Sequence, residues 1–128
     1  MAIRIVKLGS RRARGEGPRL GTVRRPPRGV RKADYARRNY YDAWLPELAP
    51  SLRLFSWFIK DPSKQRWSRF ARQYRREMRS PPAQRLLDVL AKLSRSANFS
   101  VGCYCADESR CHRSILRRLL AERGAKLA

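Results

Sequence analysis

The sequence predicts one α/β domain over residues 1–128, with a short, mostly parallel sheet flanked by helices. Three observations predict it. Short apolar, β-branched runs occur near residues 3–6, 19–23 and 99–104. Amphipathic helical segments lie between and after them, and layers of that kind pack as helices on a sheet. The chain has 128 residues, 42% of them hydrophobic, which is enough for one core and too much for full disorder.

Ile3, Ile5 and Val6 form the first strand, ending near Gly9, and Ser10 to Gly17 is an Arg- and Gly-rich loop, here bounded as residues 10–18. Residues 19–23 form a second strand. Proline fixes φ and lacks a donor while glycine tolerates positive φ, so Arg24-Arg25-Pro26-Pro27-Arg28-Gly29 is irregular backbone. Asp34 is placed to cap a short helix from Tyr35. Tyr40 to Ser51 is aromatic and broken by proline, and Leu52 to Ile59 is an apolar patch packing as a short helix.

The next helix starts at Asp61-Pro62-Ser63. Trp67, Phe70, Tyr74 and Met78 follow at spacings of 3, 4 and 4, one helix face, which reads as core. The opposite face carries Arg69, Arg72, Arg75, Arg76 and Arg79. Ser80-Pro81-Pro82 stops this helix and starts another with Leu86, Leu87, Leu90 and Leu93 inward. A strand at 99–104, a polar turn at 106–109 and a helix from Cys111 to Arg123 complete the domain, with Gly124 as stop signal and residues 125–128 a frayed tail.

Charge narrows the partner classes. There are 31 Lys and Arg against 10 Asp and Glu, a net +21, concentrated in residues 1–40 (net +11) and 63–80 (net +6). Arginine forks suit phosphate, so the expected partner is nucleic acid or a nucleotide. No apolar run reaches the roughly 20 residues of a membrane span, and the opening Met1 to Lys7 is too short and too charged for the apolar region of a signal peptide. The expectation is a cytoplasmic protein with no membrane partner, whose three cysteines are thiols or ligands.

The chemistry concentrates between Cys103 and Ser114, in a strand–loop–helix context that presents ligands to a strand's carboxyl end and a helix N-terminus. With Ser109 as N-cap, Cys111 and His112 fall in the first turn. There the macrodipole and the neighbouring Arg110 and Arg113 favour a thiolate. Three readings follow. In the leading one Cys111 is a nucleophile, His112 (the only histidine) moves protons, and Arg113 holds an anion, with Cys103 and Ser114 at the ligand. In the second, Cys103, Cys105, Cys111 and His112 hold zinc or iron. Spacing opposes this, because cysteines two apart on a strand stand about 7 Å apart at about 3.3 Å rise per residue. In the third the thiols are small buried hydrophobes. No metal and no cofactor are expected. A phosphatase loop is excluded, since six residues after Cys105 stands Cys111 and six after Cys103 stands Ser109, where an arginine is required. No Walker-type or dinucleotide fingerprint occurs.

Together, Arg25-Pro26-Pro27-Arg28-Gly29, the Trp44-Leu45-Pro46-Glu47-Leu48-Ala49-Pro50-Ser51 run, then Trp67, Phe70, Tyr74 and Glu77-Met78, and the closing Cys103-Tyr104-Cys105 to Cys111-His112-Arg113-Ser114 run resemble the YeaO-like family, domain of unknown function 488. The resemblance spans roughly residues 3 to 124. It implies a compact bacterial α/β domain and no established activity. Members often carry tryptophan where this chain has Pro26, and the shorter branch lacks the Cys-His-Arg run, so a role for that run belongs to part of the family only.

The Arg24–Gly29 stretch is a second candidate. If the strands at 19–23 and 99–104 are neighbours, Arg25 and Arg28 converge on the cleft edge near Arg113, with Tyr41, Asp42 and Trp44 lining it. The expected function is binding of, and chemistry on, a phosphate-bearing or nucleotide-like ligand. The alternative is a non-catalytic nucleic-acid-binding module using Arg24, Arg69, Arg72 and Arg76.

Overall fold

A computed structural model describes residues 1–128. Strands β1 (Ile3–Lys7), β2 (Arg19–Gly21), β3 (Ala43–Trp44) and β4 (Phe99–Cys103) form one sheet in the order β1-β4-β2-β3, every pair parallel. Helices α1 (Leu52–Lys60), α2 (Lys64–Glu77), α3 (Pro81–Leu93) and α4 (His112–Glu122) complete the expected α/β fold. Ser51, Ser63 and Ser80 cap α1, α2 and α3, each hydroxyl accepting an N–H from the first turn. Gly124 stops α4 in the left-handed region at φ 80°.

Alternation along β4 divides the two faces of the sheet. Phe99 and Val101 point toward the helices and join Leu54, Phe58, Phe70, Tyr74, Leu87, Leu90, Ile115 and Leu116 in the main core. Ser100 and Gly102 face the other way, where loops cover the sheet. There Ser100 Oγ donates to Glu16 at 2.7 Å, and Glu16 binds Arg19 through Nε at 2.8 Å and Nη2 at 3.0 Å. Arg19 also donates to the carbonyls of Ser10 and Asn39, and Asp42 accepts its backbone N–H at 2.7 Å. One buried ion pair thus holds both loops against the sheet.

Several elements differ from expectation. Asp34 caps no helix. It ends a 3-10 turn at Lys32–Asp34, and its carboxylate pairs with Arg31 and Arg37. Strand β3 was hidden in the aromatic stretch because two exposed residues carry no periodicity. On α3, Leu93 is exposed and Leu86 half-buried, while Ala83, Ala91 and Ser94 share the inward stripe with Leu87 and Leu90. The residues expected to fray instead dock beside β1. Ile3 donates to Lys126 O at 2.9 Å, Ala128 donates to Ile3 O at 2.9 Å, and Leu127 packs on the core.

Two predictions follow from the loop-covered face. Burial pushes the Glu16 carboxyl up, but hydrogen bonds from Arg19, Ser100 and the Ala13 N–H outweigh it and hold Glu16 at about 2 against an ordinary 4.5. A depressed carboxyl stabilises the fold above its unfolded value, and that stability is lost as pH falls from about 4.5 towards about 2. Glu16→Gln should cost about 3 kcal/mol at neutral pH and flatten this acid limb, measured by urea unfolding at several pH values. A Cβ on Gly102 would sit 2.6 Å from Val6 O and 2.9 Å from Leu8. Gly102→Ala should therefore destabilise by about 2 kcal/mol or more in the same assay, because strand backbone has to move.

Candidate functional site

The carboxyl ends of the two central strands build the site. β4 ends at Cys103, and the chain bends at Tyr104 so that the Cys105 N–H turns back to Cys103 Sγ at 3.4 Å. Asp107 Oδ1 accepts the N–H and hydroxyl of Ser109, closing a 3-10 turn at Glu108–Arg110. Cys111, in extended conformation, is therefore the N-cap of α4 in place of Ser109, and His112 and Arg113 open its first turn. The Cys111 thiol makes no cap bond. It is turned to Cys103 Sγ, 2.7 Å away.

His112 is buried and oriented. Its Nε2 lies 2.7 Å from Thr22 O, and a carbonyl only accepts, so Nε2 carries the hydrogen. In that tautomer Nδ1 bears a lone pair, directed at Cys111 Sγ 3.8 Å away. Tyr74 stands edge-on to the ring at 5.4 Å and donates its hydroxyl to Leu48 O at 2.6 Å. Thr22 is held by its own N–H and hydroxyl, both donated to Gly102 O at 3.0 Å. The pairing of β2 with β4 therefore sets the imidazole.

Arg113 was expected to hold an external anion. It is 3% exposed, has no carboxylate partner, donates Nη2 to Cys105 O at 2.5 Å, and leaves Nε without a partner. Burial pulls its guanidinium down, but the hydrogen bond to Cys111 and the fields of Cys111, Cys103 and Glu108 carry it above its ordinary value, so it stays charged. The groups it faces are the thiols of Cys103 and Cys111. Hydrogen bonding to Cys103 and Cys111 lowers the Cys105 thiol well below its ordinary range against the cost of burial, with Arg113 adding to the effect. Cys103 moves the opposite way, raised by its hydrogen bonds to Cys105 and Cys111 and by burial.

A cavity of about 350 Å³ opens over this cluster. Cys103, Cys105 and His112 form its floor, Arg24, Arg25 and Arg28 one wall, and Leu52, Phe55 and Ile59 of α1 the other. The two arginine-rich and cysteine-rich segments do converge, because β2 and β4 are neighbours. Arg25 and Arg28 are exposed, and Tyr104 donates its hydroxyl to Arg25 O at 2.9 Å. A more open groove lined by Arg25, Arg28, Tyr40 and Tyr104 continues from it.

Other expected members lie elsewhere. Ser114 donates to Cys111 O and lines a separate depression with Trp67 and Glu108. Asp42 is occupied by Arg12 and by the Arg19 N–H, and Trp44 donates its indole N–H to Val23 O at 2.7 Å, so neither lines the cavity. Cys111 is sealed beneath the floor. Arg24 does line the cavity, while its guanidinium also binds Pro50 O and Ala49 O. Arg69, Arg72 and Arg76 are exposed on α2. The sequence reading missed Cys105 as a lining residue, and missed Leu52, Phe55 and Ile59. Their spacing of 3 and 4 marks a second apolar stripe on α1, offset from the core pair Leu54 and Phe58.

Burial orders the thiols. In buffer containing a chelator, a small alkylating reagent should label half-exposed Cys105 about tenfold or more faster than Cys103 and Cys111, read by peptide mass spectrometry. Equal rates at all three would contradict this geometry.

No curated protein and no solved structure compared with the chain matches it. A family model, DUF488-N3a, described as the active DUF488-N3 subclade, matches residues 3–124. That span holds all four strands, all four helices and the whole cavity. The chain therefore belongs to the DUF488 (YeaO-like) family.

Proposed function

We propose that the cavity binds a small phosphate-bearing ligand of nucleotide type, its anion at Arg25 and Arg28 and its apolar part against Leu52, Phe55 and Ile59. The observation that carries this reading is the pair of exposed guanidiniums lining a largely apolar cavity at the carboxyl ends of parallel strands. Neither guanidinium makes an ion pair within the chain, whereas seven of the ten acidic side chains are already committed to other basic groups. The two forks are thus free for phosphate. Cys105 and His112 face the bound ligand from below, which is where a group acting on it would stand.

Calorimetry with adenosine monophosphate, pyrophosphate and adenosine tests the reading. The two phosphate compounds should bind and adenosine should bind far more weakly. Arg25→Ala and Arg28→Ala should each weaken binding about tenfold. Equal affinity for adenosine, or no effect of either substitution, would sink it.

A second reading has its own observation. Arg69, Arg72 and Arg76 form an exposed basic face on α2, outside the cavity, and a nucleic-acid contact there would follow the charge alone. It predicts affinity for duplex DNA or RNA that falls steeply with salt, is lost in the triple alanine variant, and is indifferent to Arg28→Ala. Salt-independent affinity would rule it out.

A further inference from the structure

The cluster beneath the cavity has a composition and a charge that its role as a floor leaves unexplained. Cys103 Sγ, Cys111 Sγ and a ring nitrogen of His112 lie within 4.8 Å of one another, all three residues buried. Cys105 lies beside the group on the cavity side, with its backbone N–H donated to Cys103 Sγ at 3.4 Å. The spacing objection to a shared site fails here. β4 ends at Cys103, and the bend at Tyr104 turns the Cys105 backbone N–H onto Cys103 Sγ, so the separation of about 7 Å along a continuous strand does not apply.

We propose that Cys103, Cys105, Cys111 and His112 form a tetrahedral site for a divalent cation of the zinc class. Metal–sulfur bonds near 2.3 Å and a metal–nitrogen bond near 2.0 Å place tetrahedral ligand atoms about 3.5–3.8 Å apart. Cys111 Sγ and His112 Nδ1 are already 3.8 Å apart. Cys103 Sγ and Cys111 Sγ, at 2.7 Å, would part by about 1 Å, a small rotation about each Cα–Cβ bond.

Two independent features point to the cation. The first is the outer shell of His112. Its Nε2–H is fixed on Thr22 O, which commits the Nδ1 lone pair to the sulfurs, and metal-bound histidines are oriented in this way. The Cys105 N–H on Cys103 Sγ is a similar support for a ligating sulfur. The second is Arg113, an arginine side chain 3% exposed, with no carboxylate partner and Nε unpaired. Burying an uncompensated charge is costly. A divalent cation with three thiolates and a neutral imidazole carries one net negative charge, and Arg113 cancels it. The site would tie the end of β4 to the start of α4 and so hold the cavity floor.

The full chain, produced with zinc in the medium and purified under reducing conditions, should carry about one zinc by elemental analysis. After chelator treatment, cobalt(II) should saturate at one equivalent, with thiolate-to-metal charge-transfer bands and the intense visible bands of a tetrahedral site. Cys111→Ser and His112→Gln should weaken cobalt binding about a hundredfold or more. Because both positions are buried, Cys105→Ser serves as a second variant. It should keep a native circular dichroism spectrum and lose charge-transfer intensity. Arg113→Met should keep the spectral shape but bind about tenfold more weakly. Weak octahedral bands, a spectrum unchanged in Cys105→Ser and Cys111→Ser, or a Cys103–Cys111 disulfide in the reduced preparation would overturn the proposal. The cobalt titration contains no phosphate ligand, so its outcome is separate from that of the calorimetry.

Discussion

The buried Glu16–Arg19 pair fixes more of this molecule than any other contact. It lies on the sheet face that no helix covers, and it takes up the polar groups that two long loops would otherwise leave unpaired. Ser100 Oγ ties the pair to β4, and Asp42 ties the Arg19 backbone to the segment that leads into β3. With three residues, β2 is too short to hold its place in a sheet by ladder bonds alone. Its register beside β4 is nonetheless what sets Thr22 O against His112. The chemistry on one face of the sheet therefore rests on an ion pair on the other.

The helical half follows simpler rules. Stripes at spacings of 3 and 4 on α2, α3 and α4 bury Phe70, Tyr74, Leu87, Leu90, Ile115 and Leu119 against Phe99 and Val101. Serine caps and neighbouring prolines bound α2 and α3 to within a residue or two of where the sequence places them. α1 departs from the pattern because it carries two apolar stripes. One joins the core, and the other forms a wall of the cavity, where apolar surface left uncovered by the protein is available to a ligand.

The helices and the long strands were legible in the sequence because each is written in local pattern, whereas the convergence of the Arg24–Gly29 and Cys103–Arg113 segments hung on β2 and β4 being neighbours, which only the structure supplies. What was not legible depends on contacts between distant residues. Two-residue β3 has no period to read and exists only because Gly21 and Leu20 offer it an edge. Docking of Leu127 on Ile3 joins the two ends of the chain, which no local signal encodes. In the site, the Cys-His-Arg run was visible, but its division of labour was not. A helix that starts two residues later than Ser109 sinks Cys111 and Arg113 below the floor and leaves Cys105 facing the cavity. Asp42 looked like a site acid because it neighbours aromatic residues, and it is in fact consumed by Arg12 and the Arg19 backbone.

The closing residues beside β1 bear on how molecules of this chain behave towards one another. A four-stranded sheet has two outer edges, and an outer edge with free N–H and C=O groups invites another strand to add to it. Here one edge, β1, is covered at its first residue, Ile3, by the Lys126–Ala128 segment of the same chain. The other is β3, only two residues long and too brief a template for a ladder. Each edge is thereby shortened as a template for intermolecular strand addition, β1 by the segment paired at Ile3 and β3 by its own length.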